Sequence, residues 1–217
     1  MDEVIDEAKA GMPTHGVGPW EGPWPSGDQW DVELLKAGDR RNVEDQYRYW
    51  TMDAIRADIA ARTLPFEVAI ENLEHDFNIG SIVRTANALG ASRIHIVGRR
   101  RWNRRGAMVT DRYMDVVHHD DAHLFGQDCR ARGVEIVGVD IIPGATPIDA
   151  APAPVPACLV FGGESDGLSE QMLAQCAQVV YIPQRGSTRS MNVGHAAAIT
   201  MWTWVQAYLS EGRTSHS

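Results

Sequence analysis

The apolar positions change their period near residue 65. Between residues 42 and 63, Tyr47, Trp50, Ile55 and Ile59 recur at roughly helical spacing with charged residues between them. That spacing predicts one helix covering the core, its stripe continuing to Leu64 and stopped by Pro65. Beyond Pro65, short apolar runs of strand length alternate with helical stretches. Strands are predicted over 66–70, 93–97, 115–118, 134–139, 157–161 and 179–182. Helices are predicted over 79–89, 121–132, 169–176 and 194–209. Gly90 and Gly133 follow the first two helices, where a left-handed residue commonly ends a helix. This alternation predicts an α/β fold, a mostly parallel sheet with helices on both faces. No internal repeat is visible, and residues 142–156 read as a Pro/Ala-rich connection.

Residues 1–38 have no such period. They hold Pro13, Pro19, Pro23 and Pro25 among many glycines, which argues against helix or strand. They also hold Trp20, Trp24 and Trp30, and large aromatics usually bury area. The expectation is an extended arm docked on its own core or on a second subunit. The domain division that follows is an N-terminal extension over 1–64 and a main domain over 65–212.

Composition narrows the classes. The chain has 217 residues, 44% of them hydrophobic, enough for one domain and an extension. No apolar run reaches the length of a membrane span, and the start lacks a basic-then-apolar signal pattern. Cys129, Cys158 and Cys176 are widely spaced without a C-x-x-C pair, which suits free thiols in a reducing, cytoplasmic setting. The net charge of −9 counts against a nucleic-acid partner. Yet Arg99, Arg100, Arg101, Arg104 and Arg105 fall within seven residues around Trp102. Guanidinium forks grip phosphate and an indole can stack on an unpaired base, so these six residues are candidates for RNA contact.

Three segments carry candidate chemistry. The run NLEHDFNIGSIVRTANA from Asn72 sets Asn78, Gly80 and Arg84 at the start of a helix that follows a strand. The run LVFGGESDGL from Leu159 takes an apolar strand into a Gly-rich turn with one acid, Glu164, before its Asp. The run IPQRGSTRSMNVGHAAAITMW from Ile182 is a polar loop leading through Ser190 and Asn192 into an apolar helix. Locally, the last reads equally well as a helix cap. The chain lacks G-x-G-x-x-G after its first strand, so the ordinary dinucleotide fingerprint is absent.

Together and in this order, the three segments resemble the motifs of the SpoU (TrmH) family of RNA ribose 2′-O-methyltransferases, of the SPOUT class. The resemblance covers about two-thirds of the chain. It implies a C-terminal trefoil knot (an α/β knot), a homodimer, and S-adenosylmethionine as cofactor. It further implies a reaction at a ribose 2′-hydroxyl of tRNA or rRNA, and residues 182–192 look closer to the tRNA guanosine branch. Carried over by position, it makes Arg84, Asn78, Glu164, Ser190 and Asn192 the catalytic set. It makes Leu159, Phe161, Gly162, Gly163, Ile182 and Met191 the cofactor-binding set. Arginine is a poor base because its pKa exceeds ~12, so gripping phosphate and polarising the hydroxyl is its favoured role. One departure is that Val193 is followed by Gly194 and His195, where the family commonly has Ser or a similar residue and then Ala.

His118, His119, Asp120, Asp121 and His123 invite a metal reading, with His119 and His123 one helical turn apart. A second ligand cluster is missing, so no metal is expected; a solvent-facing strand-to-helix turn with an Asp cap is the reading. Two rival functions keep the fold: an RNA-binding protein without catalysis, and an RNA base methyltransferase. A metal-dependent hydrolase would need the His/Asp cluster.

Overall fold

The computed structural model describes residues 16–72, 78–108, 110–163 and 166–214, with side chains through 210. The chain divides into two compact units, one ending at Asp58 and one starting at Ile59.

The second unit is built on seven strands. They are β1 (Leu64–Asn72), β2 (Ala91–Gly98), β3 (Val116–His119), β4 (Glu135–Val139), β5 (Thr146–Pro147), β6 (Ala157–Phe161) and β7 (Gln178–Tyr181). They form one sheet in the order β3-β2-β1-β6-β4-β7-β5, with every pair parallel. The parallel sheet with helices on both faces is as expected. β5 was not foreseen. It lies at the sheet edge inside the Pro/Ala-rich connection, where a proline costs no ladder bond.

Side-chain alternation sorts the core. Phe66, Val68 and Ile70 of β1 pack with Ile79, Ile82, Val83 and Ala86 of a helix at Ile79–Ala88, and with Ala197, Met201 and Trp204 of the final helix. Ala69, between them in sequence, faces the other way with Phe125, Cys129 and Met172. A strand covered on both faces reads as a continuous apolar run, which is why β1 and β6 were legible.

The first unit differs from the expected arm and helix. It contains α1 (Val32–Ala37), a 3₁₀ turn at Asp45–Tyr47, and α2 (Met52–Ala60), which crosses the boundary between the units. The Asp31 carboxylate caps α1 by accepting from the Glu33 and Leu34 amides. A helix therefore forms in a stretch whose prolines end at Pro25. The predicted helix over 42–63 is cut to α2 because Tyr49 sits at φ 63° and Trp50 bridges Trp30 in antiparallel fashion. Asp39, fully buried, fixes that turn: it accepts from the Tyr49 amide and pairs with Arg41 at 2.6 Å. Trp20, Trp30, Trp50, Tyr47 and Tyr49 form a chain of ring contacts, three edge to face and the Trp20–Trp30 pair tilted, with centroids 5.3–6.4 Å apart. Trp20 and Trp30 are half-buried within this small folded unit, and Trp24 is exposed, so the expected burial holds only in part.

The remaining helices, all in the second unit, are α3 (Ile79–Ala88), α4 (Ala122–Ala131), α5 (Glu170–Leu173) and α6 (Val193–Thr214). α3 and α6 cover one face of the sheet, α4 and α5 the other. Among the described residues no helix is long and apolar enough to cross a membrane, and all three cysteines are free.

Candidate active site

A cleft of about 830 Å³ opens at the carboxyl ends of β4, β6 and β7. That is the end of an open parallel sheet where ligands bind, and the size suits a nucleoside-sized molecule. Its walls come from Val139–Ile142 after β4, from Gly162, Gly163, Gly167 and Leu168 after β6, and from Tyr181 through Asn192 after β7.

The expected cofactor residues divide into two groups here. Gly162, Gly163, Ile182 and Met191 line the cleft. A side chain at Gly163 would meet nothing within 4 Å, so a ligand can approach its main chain. Leu159 and Phe161 do not line it. They are 2% and 1% exposed, inside the sheet, and paired on both sides with β1 and β4. Their apolar side chains belong to the core of the sheet.

Asn192 joins two of the motifs. Its Oδ1 accepts from the amides of Gly194 (3.0 Å) and His195 (3.3 Å), so it caps α6 as the bland reading required. Its Nδ2 donates to Oδ1 of Asn78 at 3.2 Å, which ties the start of α6 to the start of α3. Gly194 explains its own departure from the family pattern: a Cβ there would lie 3.1 Å from Asn192 Oδ1 and 3.2 Å from Asn78 Oδ1. Ser190 is exposed on the cleft wall. Arg84, on α3, is exposed and makes no ion pair among the described residues. Glu164 lies outside the described residues.

The basic loop follows β2. Arg99, Arg100, Arg101, Arg104 and Arg105 are all exposed. Residues Arg104–Ala107 form a 3₁₀ turn pressed against the first turn of α3. Gly80 makes this possible, since a Cβ there would meet the Ala107 nitrogen at 2.6 Å. Trp102 is turned inward against the core, and the Arg104 guanidinium lies 5.4 Å from its ring centre. The expected base-stacking face is thus partly used within the protein. Arg104 also pairs with Asp111 at 3.4 Å.

The histidine cluster is not the solvent-facing turn expected. Asp121 does cap α4, accepting from the Leu124 amide at 2.8 Å. His119, however, is 9% exposed and shares a hydrogen bond with the fully buried His95, Nε2 to Nδ1, at 2.8 Å. His95 donates from Nε2 to Glu67 at 2.8 Å. Arg132 grips Glu67 with both terminal nitrogens and reaches Asp128 at 2.8 Å. His95, His119 and Asp128 have donor atoms close enough for a cation. Both ring nitrogens of His95 are already bonded, and Arg132 supplies the positive charge that the two acids need. Burial pushes the Glu67 carboxyl up, but the bonds from His95 and Arg132 outweigh it and hold the pKa at about 2. Burial, with His95 beside it, lowers His119. Burial also drives the Cys158 thiol well above its usual value, so it is an inert core residue.

Four further residues have a place at the site that the sequence reading missed. Tyr181, Arg189 and Asp140 line the cleft. The Asp140 carboxylate accepts from the Ile141 amide (2.7 Å) and the Leu168 amide (2.8 Å), which fixes two of its walls. Glu71, buried at the end of β1, accepts from the amide and hydroxyl of Ser169. Acids at the ends of apolar strands were the available signal.

The model of the SpoU rRNA Methylase family matches residues 65–202. An uncharacterized tRNA/rRNA methyltransferase of Mycobacterium ulcerans is 30% identical over 207 residues, covering 92% of this chain and 66% of that protein. The tRNA (guanosine(18)-2′-O)-methyltransferase of Escherichia coli is 28% identical over 152 residues, 66% of this chain and 64% of its own. The chain thus spans slightly under two-thirds of the length of these curated relatives. The SpoU methyltransferase AviRb from Streptomyces viridochromogenes, solved in complex with AdoMet, superposes with a TM-score of 0.61. It is 25% identical over 68% of this chain and 61% of its own. The sheet, the cleft at its carboxyl end, the linked first and third motifs and these matches agree: the chain belongs to the SpoU rRNA Methylase family.

Proposed function

We propose that this protein is an S-adenosylmethionine-dependent RNA methyltransferase acting on a ribose 2′-hydroxyl in tRNA or rRNA, with tRNA guanosine favoured. The observation that carries the reading is the Asn192–Asn78 hydrogen bond, which sets the helix bearing Arg84 beside the rim of a nucleoside-sized cleft. The family membership, the solved relative with AdoMet bound and the relative that acts on guanosine of tRNA all support it. In this reading residues 65–212 are the methyltransferase domain and residues 1–64 its extension, and the chain works in the cytoplasm.

The cleft fits the cofactor, with open main chain at Gly163 and the flanking carboxylate of Asp140 on a molecule that carries a positive sulfonium. Gly162, Gly163, Ile182 and Met191 would hold it, and it supplies the methyl group. Arg84 grips an RNA phosphate and donates to the 2′-oxygen; the oxygen would take the methyl as its bond to the sulfonium sulfur breaks, and the hydroxyl proton would pass to solvent water. Asn78 and Asn192 hold the ribose, and Ser190 and Glu164 complete the set. Most of the acceleration then comes from orientation. Arg99, Arg100, Arg101, Arg104 and Arg105 bind the phosphate backbone of the RNA, while Trp102 mainly packs their loop. The trefoil knot and a homodimer belong to the same reading. Ile199, Trp202 and Leu209 form an exposed stripe along one side of α6, with Trp202 55% exposed, which a second copy would cover.

The test is transfer of labelled methyl from S-adenosylmethionine to RNA lacking this modification, followed by nucleoside analysis. Label in a 2′-O-methylnucleoside is the expected result. Label on a base would transfer the reading to base methylation. Cofactor binding without transfer to any RNA would favour a binding protein.

A further inference from the structure

The last two residues of β1 are buried, polar and aimed at two different loops. Glu71 is 4% exposed and Asn72 is 2% exposed. Successive side chains on a strand point to opposite faces, so the two leave the sheet on opposite sides. Glu71 faces the side covered by α4 and α5. Its Oε2 accepts from the Ser169 amide at 2.8 Å and its Oε1 from the Ser169 hydroxyl at 2.6 Å. Ser169 caps α5 and directly follows Leu168, on the cleft wall. Asn72 serves the side covered by α3. Its Nδ2 donates to the carbonyls of Arg99 (2.6 Å) and Arg101 (3.1 Å), while its own carbonyl accepts from the Arg99 amide at 2.8 Å. Three bonds from one residue thus shape the root of the arginine loop.

We infer that Glu71 and Asn72 are a paired positioning device: Glu71 holds the wall of the cofactor cleft, and Asn72 holds the RNA-contacting loop. The inference rests on the proposed methyl transfer. Neither residue touches the cleft or the RNA; each acts through the loop it anchors. Both belong to β1, an interior strand paired on both sides by β2 and β6, so the two substrates are referred to one rigid origin. A carboxylate suits the first task because it accepts twice and cannot donate, matching an N–H and an O–H. An amide suits the second because its NH₂ group donates twice, matching two carbonyls.

The arrangement predicts a crossed pattern of losses. Binding of S-adenosylhomocysteine is measured by calorimetry, and binding of bulk tRNA by filter retention across a salt series. Glu71→Gln and the milder Ser169→Ala each raise the dissociation constant for S-adenosylhomocysteine about tenfold, the size of one charge-assisted hydrogen bond. They leave tRNA affinity within about twofold. Asn72→Ala and the milder Asn72→Ser raise the tRNA dissociation constant about tenfold and flatten its salt dependence, as arginine contacts are lost. They leave S-adenosylhomocysteine within about twofold. Loss of both affinities in parallel, or of neither, overturns the inference. Wild-type protein that binds neither probe overturns the proposed function and this inference with it.

Discussion

Two polar clusters flank the same sheet, and they differ in whether they are closed. Glu67, His95, His119, Arg132 and Asp128 form a closed chain: the Glu67 and Asp128 carboxylates, the Arg132 guanidinium, both ring nitrogens of His95 and Nε2 of His119 all meet partners within it. The Arg84, Asn78, Asn192 and Ser190 group is open to solvent: Ser190 is exposed on the cleft wall, and Arg84 is exposed on the helix that Asn78 ties to Asn192. Both contain residue types that do chemistry. A closed buried network spends its donors and acceptors on holding strands and helices together; a group exposed at a cleft can also meet a ligand. Residue type alone therefore does not mark a site, and exposure at a cleft does.

The largest expected effect lies in the closed cluster. Glu67→Ala leaves Arg132 and His95 without their shared acid, and should cost about 3–5 kcal/mol of stability, read as a lower midpoint in urea. Next is Gly80→Val. Its side chain would run into the main chain at 106 and 107, with a cost of about 1–3 kcal/mol; tRNA affinity should fall with it because the arginine loop is displaced. A smaller effect is on pH dependence. His119 has a lowered folded pKa, so the unfolded chain takes up the proton first, and stability drops as pH falls below about 6.5. Glu67, held at about 2, adds a second loss as pH falls from about 4.5 toward 2. Melting temperatures from pH 8 to 3 should show a plateau and then two descending steps, the first absent in His119→Phe. The smallest effect on stability is expected of Trp202→Glu, which should leave the melting temperature of the subunit nearly unchanged while sedimentation shows a shift from dimer to monomer.

The same contrast explains what the chain disclosed in advance. The strands were legible because a buried parallel strand is apolar throughout, as β6 is. The start of α3, the Asn192 cap and the glycine turn were legible because local geometry demands particular residues there. The closed cluster was not. Glu67, His95 and His119 lie far apart in sequence, and only the parallel register of β1, β2 and β3 brings them together. Its trace was a polar residue set between apolar ones inside a strand, seen twice, as Glu67 in LPFEVAIEN and His95 in ASRIHIVG. The over-long helix at 42–63 failed for a similar reason: Asp39, outside the window, sets the turn at Tyr49. Trp102 looked available in sequence, and packing against the core takes part of it.

The central claim is that the open cluster carries the reaction and the closed one carries the fold. The most direct test measures methyl transfer per folded molecule and melting temperature together in Arg84→Ala and His95→Ala. The account predicts that Arg84→Ala loses about 100-fold or more in transfer with an unchanged melting temperature. It predicts that His95→Ala melts markedly lower while the folded fraction transfers at the wild-type rate. Full transfer by Arg84→Ala, or loss of transfer by folded His95→Ala, would contradict it.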